Sequence, residues 1–233
     1  GSGFLPKAPD KARVALRTGV LACVVTAAVG LYFVHLRGTR LLPLGLLGLF
    51  VVVTYTRYLT KAPLSCLIAP GLGFGPLMVM GTEFALTGNY SMPGLVASLV
   101  PFFLVSDLLL LNQFPDVEAD RRVGRLHLPI AVGRKASAWV YAAFLACTYV
   151  TVLVGVFLQL FPVAGLLALL TAPLAVPTAR GALRCAESPA QLVPYMARNV
   201  MIVLLTPALL AVGLFLADPA APPPPLHAQV VCR

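Results

Sequence analysis

The sequence predicts an all-α fold, a polytopic bundle of transmembrane helices. Three observations lead there. Of 233 residues, 59% are hydrophobic and 11% charged, whereas a soluble domain carries about 25% charged residues. The apolar residues gather in seven runs, at 18–36, 41–57, 64–87, 94–113, 137–160, 162–178 and 199–217, and a helix needs roughly 20 such residues to cross a bilayer. The positive residues gather in the short segments between those runs. A water-soluble fold could not cover so much apolar surface with polar groups. Within lipid, only helices or closed barrels satisfy their own backbone. Barrel strands alternate apolar and polar residues over about ten positions, and these runs are instead solidly apolar. Helices are therefore expected.

Each run has its own features. The second, 41–57, and the sixth, 162–178, are the weakest. Pro162, Pro173 and Pro177 make the sixth either an irregular crossing or a re-entrant segment. The third run contains Ala69-Pro-Gly-Leu-Gly-Phe-Gly-Pro76, a stretch that would break or kink a helix. Its Gly71 and Gly75 also have the spacing of a close helix–helix contact. Glu83 in the third run is expected to snorkel toward the outer face. Asp107 in the fourth is expected to stay hydrated near a membrane end. Trp139 and Tyr141, early in the fifth run, suit the membrane interface. Cys23, Cys66, Cys147, Cys185 and Cys232 lack metal-ligand spacing and read as small apolar side chains. Residues 1–217 are read as one transmembrane domain. Residues 218–233, with prolines at 222–225, are read as a disordered or extended tail. No cleavable signal peptide is visible.

Charge orients the bundle. Lys7, Lys11, Arg13 and Arg17 precede the first run, and Arg57 and Lys61 follow the second. Arg121, Arg122, Arg125, Arg134 and Lys135 follow the fourth, and Arg180, Arg184 and Arg198 follow the sixth. These alternate segments hold 14 of the 17 Lys and Arg residues. The positive-inside rule places them in the cytoplasm, with the N-terminus inside and the C-terminus outside. The net charge of +9 is thus read as orienting helices and meeting anionic headgroups or an anionic substrate, and no nucleic-acid partner is expected. The expected location is an integral, multi-pass protein of a bacterial inner membrane.

Acidic residues number only eight, and three of them, Asp116, Glu118 and Asp120, lie just after the fourth run. Pro115 suits the first residue of a new helical turn, where its missing N–H has no partner to lose. Asp116 and Asp120 then stand about 40° apart around the axis and about 6 Å along it. Both project from one face, and Glu118 points elsewhere. Two such carboxylates suit Mg²⁺, which commonly takes one or two carboxylates together with substrate phosphates. Arg121, Arg122 and Arg125 follow, with a geometry suited to phosphate oxygens. The pattern fits a substrate with a diphosphate head and a hydrocarbon tail. It equally fits a solvated cytoplasmic loop whose mixed charges neutralise each other. His35 and His127 lack an evident partner and are not read as ligands.

The stretch Asn112-Gln-Phe-Pro-Asp116-Val-Glu-Ala-Asp120, followed by Gly124 and Leu128-Pro-Ile-Ala-Val-Gly133-Arg134, resembles the second aspartate-rich motif of the UbiA superfamily of intramembrane prenyltransferases. The likeness is nearest to the branch of dihydroxynaphthoate, menaquinone-pathway enzymes. Gly73-Phe-Gly-Pro-Leu-Met-Val-Met-Gly-Thr82 is similar to that branch as well. The resemblance implies about seven spans of a nine-helix fold. It further implies Mg²⁺-dependent transfer of an isoprenyl group from a prenyl diphosphate to an aromatic, quinone-precursor-like acceptor. Asp116 and Asp120 would be the metal ligands and, with Lys61, the catalytic candidates. Asn112, Arg57, Lys61, Arg121, Arg122 and Arg125 would hold the diphosphate. The family's first motif, Asn-Asp-x-x-Asp-x-x-x-Asp, is absent from 1–17, where Asp10 stands alone, and the chain starts at Gly1 rather than Met. A fragment lacking two helices is one expectation, and a divergent homologue is another. Two further alternatives are a noncatalytic prenyl-lipid-binding relative and a small-metabolite or lipid transporter.

Overall fold

The computed structural model describes residues 11–216, so the proposed tail and the extreme N-terminus lie outside the described residues. The chain forms α1 (Ala12–Arg37), a 3₁₀ turn (Thr39–Leu41), α2 (Leu42–Tyr55), α3 (Pro63–Leu72), a π-helical segment (Gly73–Leu77) and α4 (Met78–Thr87). It continues through α5 (Met92–Arg122), a short α6 (Leu128–Val132), α7 (Arg134–Phe157), a 3₁₀ helix (Val163–Thr171), α8 (Ala172–Arg184) and α9 (Pro189–Leu216). Among the described residues, six helices are long and apolar enough to cross a bilayer. The second apolar run departs from the expected crossing. Pro43 starts α2 and the helix stops at Tyr55, so Thr39–Tyr55 is a shorter apolar helix. The sixth run keeps its length as Val163–Cys185, but its first nine residues wind as 3₁₀ helix before α8 begins.

α5 is the centre of the bundle, packed by α3 and the π segment on one side and by α7 and α9 on the other. Val100, Leu104, Leu110, Leu111 and Phe114 are buried along it. α1, by contrast, has no residue buried by the other described ones, and its apolar side chains suit a hydrocarbon surrounding. The glycine spacing of the third run proves to be a packing device. A Cβ on Gly71 would lie 2.3 Å from the Phe102 carbonyl oxygen, and one on Gly75 would lie 2.5 Å from that of Ser98. Only glycine lets the two backbones approach so closely. Pro70 and Pro76 sit within this helix, and the π turn at 73–77 accommodates the bent path without a break in the span. Gly75→Ala is expected to destabilise the protein by about 1–3 kcal/mol through overpacking. Gly73→Ala should be near neutral, because nothing lies within 4 Å of its Cβ. Unfolding curves in detergent for the two variants check this.

The packing adds detail to one expectation about a single residue and corrects another. Glu83 does reach toward its end of the bundle, and protein groups meet it there. It accepts hydrogen bonds from the Ser91 backbone N–H at 3.3 Å and from the Ser91 hydroxyl, placing a carboxylate at the N-terminus of α5, where the helix dipole favours it. On the same end of the bundle, Arg37 Nε donates to the Ala85 carbonyl at 2.7 Å and its Nη2 to Leu86 at 2.9 Å, satisfying the last carbonyls of α4. Tyr141 is not interfacial. It lies two residues after the exposed Trp139, on the opposite side of α7, and is fully buried. Its hydroxyl donates to Asn199 Oδ1 of α9 at 2.9 Å.

Candidate active site

The site lies at the end of the bundle where α2 and α5 finish and α3 and α7 start. α5 has 31 residues, a length of about 46 Å, against about 30 Å for a hydrocarbon core. Its last turns therefore reach past the apolar zone. Pro115, expected to open a new turn, instead lies inside the continuous helix. The lost donor leaves the Leu111 carbonyl without its partner one turn on. Nearby, Arg134 Nε donates to the Phe114 carbonyl at 2.9 Å, tying the start of α7 to this turn. Continuity matters for the chemistry. Asn112, Asp116 and Asp120 occupy successive turns of one face and line the same cavity.

The chain then folds back on itself. Gly124 takes a left-handed φ of 75°, a conformation open to glycine at little cost. The Arg125 N–H bonds the Asp120 carbonyl at 3.1 Å and the Gly124 N–H that of Arg121 at 3.2 Å. This is a Schellman closure of α5. The reversal returns two side chains to Asp120. Arg125 Nη1 stands 3.1 Å from Asp120 Oδ1 and 3.3 Å from Oδ2, and His127 Nε2 stands 3.3 Å from Oδ2. The Leu126 N–H donates to the Thr60 carbonyl at 3.0 Å, fastening this loop to the one between α2 and α3. His127 is 1% exposed. Burial lowers its pKa, with Asp120 opposing that effect, so the ring is biased toward its neutral form.

A cavity of about 180 Å³ results. Tyr55, Thr56, Thr60 and Cys66 line one wall, Leu109, Asn112, Gln113, Asp116 and Asp120 of α5 line the other, and Arg125 and His127 close it. Four of the residues singled out in the sequence, Asn112, Asp116, Asp120 and Arg125, are thus brought together. Arg57, Lys61, Arg121 and Arg122 are not part of this lining. Arg121 faces Glu118 at 3.8 Å on the exposed side of α5, and the Arg57 guanidinium lies 5.7 Å from the Tyr58 ring centre. The loop that carries Arg57 and Lys61 does border the cavity, through Thr56 and Thr60. The Asp116 side chain makes no hydrogen bond or ion pair with another described residue.

Residues 9–201 match the profile of the UbiA prenyltransferase family. The chain belongs to that family. Three relatives agree with it. The 1,4-dihydroxy-2-naphthoate octaprenyltransferase of Escherichia coli (strain K12) is 29% identical over 218 residues, covering 90% of this chain and 69% of that one. Proteins of the same name from Bacillus subtilis (strain 168) and Mycobacterium tuberculosis (strain ATCC 25618 / H37Rv) are 26% identical over 148 residues and 28% over 140. The matched region spans about half of each, 46% of their length. A solved structure of digeranylgeranylglyceryl phosphate synthase shares the fold with a TM-score of 0.65 at 15% identity, over 86% of this chain and 69% of that one. The protein is a membrane-embedded member of an enzyme family of prenyltransferases.

Several parts of this UbiA-family site were not visible in the sequence. His127 has no second histidine or cysteine near it in the sequence to mark it as part of a site. Its partner is a carboxylate seven residues earlier, and the signal that could have revealed it is Gly124, which turns the chain back. Cys66, read as a small apolar side chain, does sit buried, and its sulfur also accepts from Gln113 Nε2 at 3.4 Å in the cavity wall. Asp107 departs from the hydrated position expected for it: it is 0% exposed and both its oxygens lack a hydrogen-bond partner among the described residues. Nine residues before Asp116, it faces the other side of α5, near Tyr141 and Cys147 of α7. The cavity and Asp107 are therefore separate.

Proposed function

We propose that this chain carries the site at which a Mg²⁺-bound prenyl diphosphate is ionised for transfer of its isoprenyl group to an aromatic, quinone-precursor-like acceptor in the membrane. The observation that carries this reading is the pair Asp116 and Asp120 opening, with Asn112 and Arg125, onto one cavity at the rim of an apolar bundle. Family membership supports the transferase reading over a transporter, and the names of the three relatives support an aromatic acceptor. The charge pattern of the loops supports a cytoplasmic position for the site.

The donor chemistry fits the metal. Every ligand on offer from Asn112, Asp116, Asp120, Thr56 and Thr60 is a hard oxygen, as Mg²⁺ prefers. Among the described residues no group of three or more His, Cys, Asp or Glu side chains is placed to hold a metal ion, so the protein alone would leave most coordination positions to phosphate oxygens and water, which is also usual for Mg²⁺. Bound there, the ion would neutralise charge on the departing diphosphate. Asp116, with no other described partner, is the carboxylate available without rearrangement. Asp120 is held by Arg125, so its use as a ligand asks Arg125 to turn away. A diphosphate gives that guanidinium a better anion, and planar Arg geometry matches phosphate oxygens. The arginine would then pass from carboxylate to leaving group as the substrate arrives. Leu109 brings an apolar side chain into the same lining, and low polarity beside the charged groups strengthens their interactions.

The test is transfer of a radiolabelled octaprenyl group from its diphosphate to 1,4-dihydroxy-2-naphthoate by the purified protein in lipid nanodiscs. Product formation should need Mg²⁺, stop with EDTA and return when Mg²⁺ is restored. Turnover that persists in EDTA would remove the metal from the account.

A further inference from the structure

We infer that His127 is a positioning residue, which holds the Asp120 carboxylate turned into the cavity while Arg125 comes and goes. The inference rests on the metal reading given above. Its basis is the contrast between the two groups that meet Asp120. Arg125 approaches from the open side and its side chain is 46% exposed. Nothing else among the described residues pairs with it, so it is free to exchange the carboxylate for another anion. His127 is 1% exposed and its backbone is fixed on both sides. The Leu126 N–H before it is bonded to Thr60, and the His127 carbonyl accepts from the Ile130 and Ala131 N–H groups at 3.0 and 3.1 Å, which starts α6.

The imidazole therefore has no room to follow a moving partner, and Asp120 Oδ2 at 3.3 Å is the group it faces. Neither ring nitrogen completes a hydrogen bond among the described residues, and Asp120 Oδ2 is the acceptor within reach of Nε2. Whether neutral or protonated, the ring can carry an N–H on Nε2. A carboxylate opposite Nε2 selects the tautomer with the proton on Nε2. Such a donor fixes one oxygen of the carboxylate and leaves the other to point into the cavity, the arrangement by which outer groups orient a metal ligand. Asp116 lacks any such support, so the two acids are unequal: one pre-set, one adaptable.

The experiment titrates Mn²⁺, as a probe for Mg²⁺, into the detergent-purified full chain with inorganic pyrophosphate, and reads free Mn²⁺ by electron paramagnetic resonance. Wild type, His127→Gln, His127→Asn and His127→Met are compared, with melting temperatures measured alongside. The Gln amide nitrogen reaches about where Nε2 stood, whereas the Asn amide falls short and Met has no donor. Met and Asn should weaken Mn²⁺ binding about 10- to 100-fold, and Gln should stay within about 3-fold of wild type. Equal affinities for Gln and Asn, or a Met variant that binds like wild type, would overturn the positioning role while leaving the metal site standing. Should Met not fold, the Gln and Asn pair, of like polarity, decides alone. A wild type that binds no Mn²⁺ would sink the metal reading and this inference together.

Discussion

Asp116→Asn is expected to lower prenyl transfer by about 10²–10³-fold, the usual loss when one preorganised electrostatic contact to a reacting group is removed. The substitution keeps shape and removes only charge. Because Asp116 has no ion-pair or hydrogen-bond partner among the described residues, its loss should leave the fold alone. The melting temperature should move by no more than about 1–2 °C, as for a surface change of about 0.5 kcal/mol in a domain of this size. Rate and stability therefore separate. Asp120→Asn should also impair transfer, but it additionally loosens the Arg125 and His127 contacts, so a change in melting is expected only there. Single-turnover assays beside thermal unfolding distinguish the two. If Asp116→Asn kept full turnover, the carboxylate pair would lose its proposed role.

Arg125→Met has the second large effect, and its sign differs between ligands. A guanidinium bonded to a phosphate contributes about 1.5–3 kcal/mol, so KM for the prenyl diphosphate should rise by about one to two orders of magnitude. Binding of the divalent ion without diphosphate should move the other way. Arg125 lies at 3.1 and 3.3 Å from the two Asp120 oxygens and would compete with a cation for them. Removing it frees the carboxylate, so Mn²⁺ alone should bind more tightly to Arg125→Met than to wild type. Arg125→Lys should restore part of the substrate affinity, since lysine keeps the charge without the planar fork. A uniform loss of both affinities would show that Arg125 merely holds the loop together.

What the sequence disclosed follows from which forces are local. Long apolar runs disclose spans because lipid demands them, and Asp116 with Asp120 disclosed a shared face because helical spacing alone sets that. Gly71 and Gly75 were legible as a contact for the same reason. The remainder depends on tertiary partners. Pro115 reads as a helix start, yet α5 runs through it, in a turn that Arg134 of α7 ties down at the Phe114 carbonyl. Thr56, Thr60 and Cys66 reach the cavity only because α2 and α3 are packed beside the end of α5. The partnership of His127 with Asp120 depends on the turn at Gly124, and no histidine pair announces it. Tyr141 and Trp139 look alike in sequence, and two residues of offset on α7 send one to Asn199 and the other to the surface. Arg57 and Lys61 were placed near the head group by resemblance. The structure sets their loop at the rim of the cavity without bringing either side chain into its lining.

The most direct test is a structure of the protein with Mg²⁺ and a non-reactive prenyl thiodiphosphate. The expected result is metal density about 2.0–2.1 Å from an oxygen of Asp116 and one of Asp120, with Arg125 moved from Asp120 onto the diphosphate. A head group seated against Arg57 and Lys61, with Asp120 still paired to Arg125 and no ion between the two acids, would contradict it.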